Sequence, residues 1–174
     1  MATKQQPDAI ALLKADHRKV EDLFEKFESA RNADKKAQLA QQICTELTVH
    51  TMIEEEIFYP ACKDQIEDDT LEEAYVEHDG AKLLIAEIEA GSPNDPYYGA
   101  KVKVLSEQIK HHVKEEEKRS EGMFAQARDA GLDVDALGTQ MLERKEELLA
   151  QFKSEGLPTP QTRTFTEDTI NHAA

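Results

Sequence analysis

The stretch "HTMIEEE", His50 to Glu56, is nearly repeated as "HHVKEEE", His111 to Glu117. In each, a histidine precedes a glutamate by four positions: His50 and Glu54, then His112 and Glu116. Side chains four apart on a helix lie one above the other. Each stretch therefore puts an imidazole and a carboxylate on one helical face. The neighbours of that face decide whether it looks at water or at a core.

Those neighbours are apolar. Helix one is expected from about Pro7 to about Arg31, with Ile10, Leu13, Val20, Phe24 and Phe27 in a three-four rhythm and His17 on the one missing beat. Helix two starts near Asp34 and carries Leu39, Ile43, Leu47, Ile57 and Phe58, with His50 and Glu54 in the same stripe. Pro60 is expected to end or kink it, because proline interrupts the backbone ladder. Helix three opens around "DDTLEE", where Thr70 and Glu73 have capping-box spacing, and runs through Leu71, Tyr75, His78, Ile85 and Ile88 to "GSPNDP". Helix four takes Asp95 as its cap and Pro96 in its first turn, then Val102, Leu105 and Ile109 lead to His112 and Glu116. A fifth helix, about Asp133 to Ser154, has Val134, Leu137, Met141, Leu148 and Phe152 on one side. No stretch alternates as a strand does. The pattern predicts an all-α protein, an up-down-up-down four-helix bundle over 8–128. A C-terminal helix over 133–155 packs on or beside it, and an extended or disordered tail covers 156–174.

Every bundle helix thus interrupts its apolar stripe with one histidine, and two add a glutamate. A lone histidine on such a face is ordinarily a hydrogen-bonded core residue, and a glutamate run is ordinarily a solvated face. Glu55, Glu56, Glu115 and Glu117 are expected to be just that. The whole set resists this explanation, because an unpaired buried carboxylate costs several kcal/mol. His17, His50 and Glu54 also recur as His78, His112 and Glu116, at offsets of 61, 62 and 62 residues. The chain reads as a helical hairpin used twice about an approximate two-fold axis. Six such side chains match two metal ions bridged by two carboxylates, and imidazole with carboxylate suits iron, zinc or manganese alike. His111, about 100° round the helix from His112, is expected to be exposed or to stand behind a ligand. His172 falls in the tail, and Tyr75 is expected to pack.

With 36 acidic and 21 basic residues among 174, the net charge is −15, which argues against nucleic acid or an anionic membrane as a partner. No segment approaches the roughly 20 apolar residues that span a bilayer, and the start "MATKQQPDAIALLKADH" lacks the apolar core of a secretory signal. Cys44 and Cys62 on one helix would lie about 27 Å apart, too far for a disulfide. These features point to a cytoplasmic protein with reduced, packed thiols.

The series "DH" at His17, "HTMIEEEIFYP" at His50, "EH" at His78 and "HHVKEEE" at His112 resembles the hemerythrin-like, HHE cation-binding family of bacterial type. The resemblance implies a four-helix bundle holding two iron ions, oxo- or hydroxo-bridged. His17, His50, His78 and His112 would be terminal ligands, with Glu54 and Glu116 as bridging carboxylates. It further implies a protein that binds, senses or handles O2, reactive oxygen species such as peroxide, or NO, or that holds iron. The alternatives are a di-iron enzyme acting on peroxide or NO, and a helical interaction module with a structural metal. Ferritin-like di-iron proteins match less well, since they place glutamate three residues before histidine. Oxygen-carrying hemerythrins have a fifth histidine four residues after the third-helix ligand, and here that position is Lys82. Their fourth-helix carboxylate is typically an aspartate five after the histidine, whereas this chain offers Glu116 at four and Glu117 at five, and the repeat favours Glu116. Lys82 is expected to snorkel to the surface with its charge in water, leaving the iron at His78 open to solvent or an exogenous ligand.

Overall fold

Asp8 begins the first helix: its carboxylate accepts the Ala11 amide at 2.7 Å, satisfying a donor that the first turn leaves without a partner. The structure, a computed structural model, describes residues 6–166, so His172 lies outside the described residues. Helix α1 is Ala9–Ser29, and α2, Ala33–Ile53, follows with Asn32 as its cap. Helix α2 passes without a break into a π-helical segment, Glu54–Phe58, and then α3, Tyr59–Cys62. Helices α4, Asp68–Glu89, and α5, Tyr98–Glu116, complete the second hairpin. A short α6, Met123–Asp129, and a long α7, Val134–Glu155, end the helical part. The described residues contain no strand.

Several local expectations are corrected. Pro60 does not end its helix. The backbone widens instead, so that the Tyr59 amide bonds to the Glu54 carbonyl five residues back, and the chain runs on helically to Cys62. Thr70 is not a cap. Helix α4 begins at Asp68, where two aspartates in the first turn suit the positive end of the helix dipole, and the Thr70 hydroxyl accepts from Gln126 Nε2 at 3.2 Å. Asp95 accepts the Ser92 amide at 2.7 Å inside the preceding turn, and Tyr97, at φ 66°, stands between that turn and α5. Helix four ends at Glu116, and α6 begins at Met123. A Cβ on Gly122 would lie 2.6 Å from the Glu116 carbonyl, so only glycine lets the chain turn back there into α6.

The core comes in two apolar layers. Ile10 and Leu13 of α1, Val49 and Ile53 of α2, and Leu71 and Ala74 of α4 belong to one, together with Met123, Phe124, Met141, Leu148 and Phe152. Val20 to Phe27, Leu39 to Leu47, Ala81 to Ile88 and Tyr98 to Leu105 form the other. Helices α1 and α4 run from the first layer to the second, α2 runs from the second to the first, and α5 leaves the second towards α6 in the first, which makes the bundle up-down-up-down. His17 and His78 fall in sequence between the two sets, His50 lies at their junction just after Val49, and His112 follows the second set on its helix. Cys44 and Cys62 are free and buried, and burial pushes the Cys62 thiol up to about 12.

Helix α7 lies against the start of α1, and Gly138 makes the contact possible. A Cβ there would stand 2.5 Å from the Pro7 carbonyl oxygen and 2.7 Å from the Ala9 amide. Backbone cannot yield as a flexible side chain can, so Gly138→Ala is expected to cost about 1–3 kcal/mol. Urea denaturation followed by far-UV circular dichroism checks it, and a variant as stable as the parent would mean that α7 docks elsewhere.

Candidate metal centre

The six predicted side chains converge. His17 on α1, His50 on α2, His78 on α4 and His112 on α5 are all buried, as are Glu54 and Glu116, which are 0% and 2% exposed. The histidine Nε2 atoms meet in pairs: His17 and His50 at 3.3 Å, His78 and His112 at 3.2 Å. Glu54 Oε2 lies 3.2 Å from His50 Nε2 and 3.3 Å from His78 Nε2. Glu116 lies 3.3 Å from His17 through Oε2 and 3.4 Å from His112 through Oε1. The donor atoms form two overlapping groups, His17–His50–Glu54–Glu116 and Glu54–His78–His112. The grouping is therefore not one set per sequence half, because each carboxylate crosses between the two histidine pairs.

A seventh side chain was missed by sequence reasoning. The Tyr59 hydroxyl lies 3.1 Å from His78 Nε2 and donates to Glu116 Oε1 at 3.2 Å. The signal was Pro60, whose ring cannot sit over the carbonyl four residues back. The turn it widens carries Tyr59 round to the face of Glu54. Tyr75 packs edge-on against Tyr59, with ring centroids 5.2 Å apart. The space beside His78 Nε2 thus holds a protein hydroxyl, which revises the expectation of an open position there. Lys82 does not snorkel into water either. It is 15% exposed, and its ammonium is held by Glu55 at 2.8 Å and Asp79 at 3.1 Å.

Behind each imidazole stands a second carboxylate. His17 Nδ1 donates to Glu117 at 2.7 Å, His78 Nδ1 to Glu55 at 3.1 Å, and His112 Nδ1 to Glu77 at 2.6 Å. Asp16 faces His50 Nδ1 at 3.6 Å, longer than a hydrogen bond. Glu55 and Glu117, expected on a solvated face, belong to this layer, whereas Glu56 pairs with Arg144 and Glu115 with Lys118. The layer obeys the repeat, since Asp16 and Glu77 stand 61 apart and Glu55 and Glu117 stand 62 apart. Such partners fix the tautomer and ring plane of a ligating histidine.

The sequence model for the Hemerythrin HHE cation binding domain matches residues 8–127. The chain belongs to this family. A solved HHE domain-containing protein from Mycobacterium kansasii superposes with a TM-score of 0.70 at 21% identity, over 87% of this chain and 95% of that one. This likeness establishes the shared fold. A DNA nickase from Nostoc sp. (strain PCC 7120) is 31% identical over 114 residues, which are 66% of this chain and 32% of the nickase, so the chain spans about a third of that relative. HHE domains bind metal cations, and the buried clusters here are of the kind that does so. No helix among the described residues is long and apolar enough to cross a membrane.

The donor set of this HHE domain suits a cation on physical grounds. Glu54 Oε1, Glu54 Oε2 and Glu116 Oε2 are buried with no hydrogen-bond partner, a costly state for carboxylate oxygens. Donor atoms sharing an ion at bonds of about 2.0–2.1 Å stand roughly 3 Å apart, close to the spacings above. Without a cation the charge is settled by protons. Burial pushes Glu54 well above the ordinary carboxyl range, and the neighbouring Glu116 pushes it further. Burial acts on Glu116 too, but the charge and hydrogen bond of His112 outweigh it and hold Glu116 well below that range. Burial opposes the charged form of His112, yet Glu116 raises it well above its usual value. Burial lowers His50, and lowers His78 to about 4. Among these five groups, Glu116 and His112 thus form an ion pair, Glu54 is biased towards its neutral form, and His50 and His78 are biased towards neutral imidazoles.

A cation must displace the protons on Glu54 and His112, whose affinity for protons is raised. Loading the metal-free protein near neutral pH is expected to release protons, and affinity should rise with pH until both raised values are passed. Indicator-dye titration in weak buffer reads the release directly. Glu54→Gln should release fewer protons per ion, and equal release would assign the displaced proton to another group.

Proposed function

We propose that the centre holds two iron ions and uses them to bind, sense or handle O2, reactive oxygen species such as peroxide, or NO, or to hold iron. The observation that carries this reading is the pair of overlapping donor groups sharing Glu54, with Glu116 reaching a histidine of each pair. Six ligands so arranged serve two ions better than one. His17, His50, His78 and His112 would be the terminal ligands and Glu54 and Glu116 the bridging carboxylates, with the Tyr59 hydroxyl beside His78.

Bound iron would supply reversible binding of, and electron exchange with, a small oxygen or nitrogen species. The chain holds the imidazoles in plane and lays Phe124 over His17, with ring centroids 5.9 Å apart. Tyr59, whose hydroxyl burial keeps protonated far above neutral pH, presents a hydrogen-bond donor into the centre. The net charge of −15 gives a nucleic-acid backbone no electrostatic attraction, so the activity named for the Nostoc relative is not carried over.

Metal analysis and the visible spectrum of protein purified in air from iron-rich medium test the reading. Close to two irons per chain with a charge-transfer band is expected, and a single zinc would overturn it. His112→Ala should lose at least one metal and destabilise the bundle, because buried Glu116 loses its compensating charge. His111 is 58% exposed and meets Glu77 at 3.4 Å on the outside of the bundle, so His111→Ala should keep its iron. Matching losses in the two variants would contradict the assignment of His112 as the ligand.

A further inference from the structure

The carboxylates behind the histidines follow the two-fold repeat, but the side chains that hold those carboxylates do not. Glu117 is held by Arg18 at 2.7 Å and Glu77 by His111 at 3.4 Å, both from bundle helices and both well exposed. Asp16 is instead bound by Lys145, which comes from α7. Glu55 is bound by Lys82, whose ammonium also donates to the Gln161 carbonyl of the C-terminal tail at 3.1 Å. The tail is pinned one residue beyond His78. Buried Asp79 accepts from the Arg163 amide at 2.8 Å, the Thr164 amide at 2.6 Å and the Thr164 hydroxyl at 2.7 Å. Arg163 also lies over the Tyr75 ring, 4.4 Å from its centroid. A cavity of about 570 Å³ lies between Leu157–Gln161 and helices α2 and α4. Leu157 packs against both apolar layers, and beyond it these polar contacts hold the tail to the bundle.

Helix α7 and the tail lie beyond the matched residues 8–127. We propose that this C-terminal extension is a brace for one half of the metal centre, Lys145 setting Asp16 against His50 and the tail setting Lys82 and Glu55 against His78. The two braced histidines are the pair that share Glu54 Oε2, at 3.2 and 3.3 Å, so both arms of the brace converge on one carboxylate oxygen. Lys145 and Lys82 are positioning residues that act through Asp16 and Glu55. A carboxylate orients an imidazole most firmly when a buried ammonium holds it, whereas an exposed partner is screened by water, and losing the carboxylate behind a ligating histidine typically costs about 10–100-fold in metal affinity. The proposal rests on the reading that the centre binds metal.

The test uses full-length protein loaded with ferrous iron and challenged with excess ferrous chelator, following the rate of iron loss and the absorption spectrum. Lys145→Met and Lys82→Met are each expected to release iron about 10-fold faster or more and to shift the spectrum. Lys145→Arg and Lys82→Arg keep the charge and should restore slow release. Arg144→Met is the control: it removes the neighbouring α7 ion pair, Arg144 Nε to Glu56 at 2.7 Å, which backs no histidine, and should release iron at the parent rate. Thermal melts of the metal-free variants confirm that each is folded. Equal acceleration in Arg144→Met and Lys145→Met would reduce the effect to helix docking and overturn the brace, as would unchanged release in both methionine variants. A parent protein that takes up no iron would overturn the reading of the centre, and the brace with it, before any variant is compared.

Discussion

Two carboxylates buried on the axis of a helical bundle are the constraint from which the rest follows. Glu54 and Glu116 are almost wholly withdrawn from water, and an isolated ion there would cost more than any local packing returns. The chain answers in shells. Four imidazoles surround the two acids, a carboxylate stands behind each imidazole, and a nitrogen-bearing side chain stands beside each of those carboxylates. Apolar layers at both ends of the polar one keep solvent out, which strengthens every interaction between the shells. Protons settle the charge without a metal, and a cation takes their place when one binds.

Much of this was legible because burial leaves a period. An imidazole on the beat where leucine belongs, repeated on each of four helices, records a polar layer crossing the bundle, and a glutamate four residues on records a shared face. The carboxylates behind the histidines were harder to see, although they follow the same repeat. Asp16 precedes His17 yet faces His50, and Glu55 follows Glu54 yet serves His78. Those contacts run between helices and depend on how each is rotated, which spacing along one helix does not encode. Glu55 and Glu117 were misread as solvated for the same reason.

Tyr59 illustrates a different limit. Regular helical arithmetic places it away from Glu54, and only the widened turn ahead of Pro60 brings it back. The caps failed for local reasons: Thr70 and Asp95 have the right chemistry, but a neighbouring side chain and a preceding turn claim them. At Lys82 the expectation treated a long cationic side chain as free to reach solvent. The tail, far away in sequence, supplies a partner that periodicity on α4 has no means to reveal. Asp79 and Gly80, both weak helix formers, follow His78 and differ in what they do. Asp79 anchors the tail, whereas Gly80 has only an ordinary 3.9 Å neighbour for a Cβ.

The placement of α7 and the tail also bears on how the molecule is made. Synthesis is vectorial, and domains form as the chain emerges. Every ligand-type side chain, from His17 to Glu116, has left the ribosome before Val134. The four ligand helices can therefore gather round their cation while the outer supports of His50 and His78 are still incomplete. Lys145 and then the segment around Thr164 arrive last, closing over a centre already assembled. The order of synthesis thus places every ligand-type side chain ahead of the segments that stand behind them.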